Sequence, residues 1–203
     1  MVTSIQGIHH LDVVVTGEEA HAGTTPRRSR KDALSSAVAI ITALEQLTAD
    51  EDDVTRFTVG RFEVEPGSPN TVPGRVHFMI DLRHPDRATL QSLVEQIRLV
   101  ATENAGPCPV TVTDNLTVDP TIFESTVMNA IRQSTLALGL DHIDMPSGAG
   151  HDAMHLATIC PAGMIFVPCL GGVSHNEAES ATPADLAAGT RVLTDTLFRL
   201  AND

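Results

Sequence analysis

The chain has 203 residues, 42% hydrophobic and 19% charged, enough apolar side chain for a real core and the length of one large or two small domains. Thirteen Lys plus Arg against 26 Asp plus Glu leave a formal net charge of −13, which excludes nucleic acid and an anionic membrane surface as expected partners. There is no Trp or Tyr, no basic and apolar leader, and no CxxC pair among Cys108, Cys160 and Cys169, so base stacking and secretion are not expected and a reducing, cytoplasmic setting is.

In chain order, the β-branched run within Ile8 to Thr16 reads as a strand, and a turn-rich stretch to Arg28 leads to a helix over about 29–47. Leu34, Ala37, Val38, Ile41 and Leu44 recur at helical spacing and give that helix a buried face. Two strands follow, about 54–64 and 75–84, joined by a loop rich in Pro and Gly. In the second, Val76, Phe78, Ile80 and Leu82 alternate with His77, Met79, Asp81 and Arg83, which turns Arg83 away from the apolar layer. A second amphipathic helix over about 87–103 and a strand over 110–116 complete the order strand, helix, strand, strand, helix, strand. That is the split βαβ or ferredoxin-like arrangement, an α+β fold with two helices on one face of a four-stranded antiparallel sheet.

The pattern changes near residue 118. A helix over about 122–138, a Gly-rich stretch Ser147 to Asp152, a short strand Gly163 to Val167 and a terminal helix are expected, the last opened by Thr182, Pro183 and Asp185 in a capping pattern. Leu186, Leu193, Leu197 and Leu200 should form its buried face. The division expected is 1–118 and 119–203, the second part belonging to a larger α/β layer.

Three of nine histidines, His21, His151 and His175, sit in loops beside small turn residues, where substrates and metals are handled. A solvated histidine is the commoner reading of any one alone, and it is the only one for His77, His84, His142 and His155. His10 and Asp12 share a strand face without a partner cluster and read as sheet-surface residues. No nucleophile elbow, phosphate loop or His-Glu-x-x-His helix is present, so spacing alone names no reaction.

The blocks His21-Ala-Gly-Thr-Thr-Pro26 with Arg30-Lys-Asp-Ala-Leu34, Pro66-Gly-Ser-Pro-Asn-Thr-Val-Pro-Gly74, Asp81-Leu-Arg-His84, Ser147-Gly-Ala-Gly-His-Asp-Ala153, and Pro161 to Pro168 with Gly171-Gly-Val-Ser-His175 resemble, in order, those of a metal-dependent amidohydrolase family. It contains N-carbamoyl-L-amino-acid hydrolases, β-ureidopropionase and allantoate amidohydrolase. The resemblance implies a catalytic domain with two divalent ions, zinc or manganese, and an inserted lid that forms a homodimer. It assigns His21 to polarising the scissile carbonyl in the partner subunit's site, Asn70 and Arg83 to the carboxylate of a small anionic amide substrate, Gly150 and His151 to the pocket lining, and His175 to a metal. A salt bridge to Asp81 or Asp86 is the plain alternative for Arg83, and a turn role for Asn70. The other metal ligands and the general base would precede the lid, so the chain is expected to be inactive alone. Arg27, where the family usually has Met, should alter the pocket edge. An aminoacylase or peptidase of the same superfamily, or a non-catalytic dimerisation module, are the other readings.

Overall fold

Strands β1 (Val2–Ile5), β2 (Gly7–Thr16) and β3 (Ala20–His21), helix α1 (Ala33–Thr48), strands β4 (Arg56–Glu65), β5 (Thr71–Val72) and β6 (Arg75–His84), and helix α2 (Arg87–Asn104) open the computed structural model, which describes residues 1–202. Strands β7 (Val110–Val118) and β8 (Thr121–Ile122), helix α3 (Ser125–Ala137), strand β9 (Met145–Ser147), and helices α4 (Asp152–Leu156) and α5 (Pro183–Leu200) complete it. The chain divides into two units, Gly7–Pro120 and Met1–Gln6 with the residues from Thr121 onward. The first six residues thus lie with the second unit, unlike the expected division at 118, because Val2–Ile5 pairs with β8 and β9 rather than with the larger sheet.

In the unit Gly7–Pro120 the sheet order is β4-β6-β2-β7, antiparallel throughout. Strand periodicity sorts its two faces as the sequence pattern requires. Leu11, Val13 and Val15 of β2 and Val76, Phe78, Ile80 and Leu82 of β6 are buried in one cluster with Ala37, Ile40 and Leu44 of α1 and Leu90, Val94 and Ile97 of α2. Each large apolar side chain so enclosed contributes roughly 1.5–3 kcal/mol. The other face is polar: His77 meets Asp12 at 2.6 Å, Asn115 donates to Asp12 at 2.5 Å, and Arg83 holds Asp81.

Helix α1 starts later than its apolar spacing suggests. Residues Arg27–Ser29 make a single 3-10 turn, and Asp32 accepts from the N–H groups of Leu34 and Ser35, so the cap sets the start at Ala33. Gly7, where the chain enters this unit, has no room for a Cβ. One built there would lie 2.7 Å from Pro120 Cδ and 2.8 Å from Leu90.

The other unit carries a three-stranded sheet, β8-β1-β9, with α3 and α5 packed together. Ile122 lies in β8 rather than in a helix, and α3 begins after Glu124, whose carboxylate accepts from Thr126 N–H. The strand expected at Gly163 to Val167 is reduced to one bridge between Met164 and Val2, since β8 already takes the same edge of β1 at Ser4 and Ile5. Thr182 accepts from Asp185 N–H at 3.1 Å and caps α5 as its sequence requires. The face expected to be buried is not. Val192 and Thr196 are covered, while Leu186, Leu193, Leu197 and Leu200 are 40–59% exposed, because α3 covers only a narrow stripe of α5.

No helix among the described residues is long and apolar enough to cross a membrane. Cys108 is a buried free thiol; Cys160 and Cys169 are exposed free thiols.

The burial contrast on α3 and α5 is measurable. Ile131→Ala, at a position 3% exposed, should cost about 2–5 kcal/mol of chain stability. Leu197→Ser should cost less than about 0.5 kcal/mol. Denaturant unfolding checks both, and equal losses would contradict the assignment of faces.

Candidate active-site residues

His21 and Asn70 are brought together by a two-residue ladder. Strands β3 and β5 pair Ala20 with Val72 and His21 with Thr71, and Ala22 N–H donates to the Asn70 carbonyl at 3.0 Å. The turn after His21 then folds over its own imidazole. Nδ1 accepts from Gly23 N–H at 3.0 Å and Thr24 N–H at 3.2 Å. A neutral ring whose Nδ1 is an acceptor carries its proton on Nε2. The exposed ring therefore offers an N–H donor outward. A Cβ at Gly23 would approach the imidazole Cε1 to 3.3 Å, a tight contact that would press on the ring.

Arg30, quoted above only as part of a block, has a role the sequence did not disclose. Its Nε donates to the Thr25 carbonyl at 2.9 Å and its Nη2 to the Ala22 carbonyl at 2.6 Å, bracing the His21 turn from both ends. A turn with several backbone carbonyls and an arginine eight residues on is the signal for such a brace, but nothing in spacing fixes its partners.

Asn70 is exposed. Its Oδ1 accepts from Ser68 Oγ at 2.7 Å and lies 3.5 Å from Thr71 Oγ1, which commits the oxygen locally and presents the amide N–H groups. That is the polarity a carboxylate requires.

Arg83 lies on the polar face of β6, as alternation demands. Its guanidinium forks onto Asp81 two residues earlier, Nε to Oδ1 at 2.9 Å and Nη2 to Oδ2 at 2.7 Å. The Arg83 hydrogen bonds are the main cause of an Asp81 pKa below the usual carboxylate value, with burial opposing and His10, 3.4 Å from Asp81 Oδ2, adding to it. Asp81 in turn raises the Arg83 pKa. The salt bridge named as the plain alternative is therefore present, and it aligns the guanidinium along the sheet.

Register separates Arg83 from the other two. β2 and β6 pair from Gly7 with His84 to Thr16 with Arg75. Arg83 stands at the Gly7 end; β3 and β5 attach at the Thr16 and Arg75 end, where Gly17 N–H donates to the Gly74 carbonyl. Eight residues of strand, roughly 27 Å at ~3.4 Å per residue, lie between them.

In the second unit His151 is the N-cap residue of α4, and its Nε2 shares a 2.8 Å hydrogen bond with the buried Ser147 Oγ. Its ring meets Phe166 edge-on, centroids 5.4 Å apart. Gly150 is exposed in the turn before it. His175 is exposed with a left-handed backbone, φ 54°, held by its N–H donating to Glu179 Oε2 at 3.0 Å. Among the described residues no group of three or more His, Cys, Asp or Glu could hold a metal ion. The residues present therefore do not make a metal centre, and His175 stands without companion ligands.

Three comparisons bear on this arrangement. The family described as Peptidase family M20/M25/M40 matches residues 8–199. The chain is 38% identical over 195 residues to an N-carbamoyl-L-amino-acid amidohydrolase of Paenarthrobacter aurescens, covering 95% of this chain and 47% of that protein. It is 36% identical over 206 residues to the allantoate amidohydrolase of Bacillus subtilis (strain 168), covering 99% and 49%. A crystal structure of an amidase of the hydantoinase/carbamoylase family from Burkholderia multivorans superimposes with a TM-score of 0.89 at 38% identity, over 97% of this chain and 48% of that one. The chain spans about half the length of the curated relatives it matches.

Two outcomes check the local chemistry. In long-range 1H–15N spectra at alkaline pH, His21 should show a protonated Nε2 and an acceptor Nδ1; the reverse tautomer would contradict the turn geometry. Asp81, with its lowered pKa, adds stability that is full above the ordinary value of 3.8 and is lost as pH falls through its folded value. The stability difference between the wild type and Asp81→Asn should thus shrink as pH falls below about 5, and a difference that does not shrink there would overturn this.

Proposed function

Because the chain belongs to peptidase family M20/M25/M40, we propose that it serves hydrolysis of a linear amide bearing a carboxylate, an N-carbamoyl-L-amino acid being the substrate that fits best. Gly7–Pro120 is then a ferredoxin-like lid. Water adds to the carbamoyl carbon, the C–N bond to the amino acid breaks, the amine leaves with a proton, and the carbamate falls to ammonia and carbon dioxide. The relatives named as amidohydrolases favour this over peptide hydrolysis.

The observation that carries this reading is the His21 tautomer. An outward Nε2–H on an imidazole fixed by two backbone donors is suited to the oxygen on which negative charge develops as water adds. Asn70 offers amide N–H groups and Arg83 a guanidinium oriented by Asp81, together a donor set for a carboxylate.

Opposite placement on the sheet supports a site shared between two copies. A small amide does not span roughly 27 Å of strand, so we infer that His21 and Asn70 come from one copy and Arg83 from a second, in a homodimer formed through the lid. Gly150 and His151 line the pocket in this reading. Two divalent ions, zinc or manganese, belong to the complete site. The described residues of this chain do not form that centre, so no step here passes through it, and the chain alone should bind without turning over.

Titration of 15N-labelled chain with an N-carbamoyl-L-amino acid should move the side-chain signals of His21, Asn70 and Arg83. Arg83→Ala should weaken binding by about 1.5–3 kcal/mol, the usual worth of a hydrogen bond to a charged group, more than tenfold in Kd. No ammonia should be released with Mn²⁺ or Zn²⁺ added. Shifts elsewhere, or turnover by the chain alone, would overturn the assignment.

A further inference from the structure

The strongest local departure from the protein's acidic character is unclaimed by the reading above. Of the twelve arginines, eight pair with carboxylates. Arg30 is spent on backbone carbonyls through Nε and Nη2. Among the described residues, Arg27 and Arg28, and separately Arg191 on α5, have no such partner. With 26 carboxylates in the chain, two adjacent unpaired guanidinium groups are not explained by a shortage of acids.

Arg27, Arg28 and Arg30 line an open cleft of about 560 Å³ together with Asp32, Ser35, Ser36 and Pro107. The volume falls in the range of small-molecule sites. Ser36 is more than nine-tenths buried. The Asp32 carboxylate accepts from the N–H groups of Leu34 and Ser35, so its charge faces the helix start. Three guanidinium groups against one carboxylate leave a local charge of +2, the complement of a doubly charged ligand. The forks of Arg27 and Arg28 with the serine hydroxyls, Arg30 adding its charge while its Nε and Nη2 stay on backbone carbonyls, supply more donors than a single carboxylate can accept, and match the oxygens of a tetrahedral oxyanion.

We propose that this cleft is a binding site for a phosphate dianion, free or as a small phosphate monoester. It lies behind the His21 turn, because Arg30 lines the cleft and also braces Ala22 and Thr25. The site stands independently of the amide-hydrolase reading.

Inorganic phosphate and glycerol phosphate are each titrated into the full chain at constant ionic strength, with sodium chloride as the balancing salt, and followed by calorimetry and by Arg Nε signals. Saturable binding of either, with Arg27 and Arg28 signals moving, supports the site; tighter glycerol phosphate identifies a monoester, equal or weaker binding the free ion. The double variant Arg27→Ser with Arg28→Ser should lose at least tenfold in affinity while its thermal unfolding stays that of the wild type. Arg28→Lys, which keeps charge but not the fork, should lose less. No saturable binding beyond the chloride control, or binding undiminished in the folded double variant, would overturn the proposal.

Discussion

The ten-residue antiparallel pairing of β2 with β6, Gly7 opposite His84 and Thr16 opposite Arg75, is the constraint on which everything else rests. It fixes the core, because Leu11, Val13 and Val15 face the same way as Val76, Phe78, Ile80 and Leu82, and a slip of one residue would turn both sets outward. It also spaces the candidate site residues: His21 and Asn70 lie beyond one end, in and beside the β3–β5 ladder, and Arg83 stands at the other.

In the proposed reading, this is why the candidate site residues do not converge within one copy. Each piece is finished locally: the His21 imidazole by its own turn and the Arg30 brace, Asn70 by Ser68, Arg83 by Asp81. Local completion is preorganisation, since side chains already held in place lose little entropy when substrate arrives. What is not local is the convergence of the pieces, which a second copy supplies in the proposed dimer.

Much of the architecture of the unit Gly7–Pro120 was legible in the sequence because its signals are local and mutually consistent. Alternation in β6 and helical spacing in α1 and α2 report burial by a face whose partners lie in the same unit. The second unit was less legible for a physical reason. Its strands β1, β8 and β9 are two to four residues long, too short for periodicity, and β1 is supplied from the far end of the chain. The leucines of α5 have the spacing of a buried face yet lie exposed; spacing reports which side is apolar, and a covering element must be present for it to be buried. The candidate site residues were drawn from motif blocks, whereas the Arg30 brace, the His21 tautomer and the Arg27–Arg28 cleft depend on distances that no spacing encodes.

The proposed sharing of one substrate site between two copies is tested directly by mixing His21→Ala chains with Arg83→Ala chains, with N-carbamoyl-amino-acid binding as the readout. Each variant alone lacks half of every site. In a symmetric dimer with random exchange, half the dimers are mixed and each has one intact site, so about a quarter of wild-type capacity should return on mixing. No recovery in mixtures shown to contain mixed dimers would contradict the account.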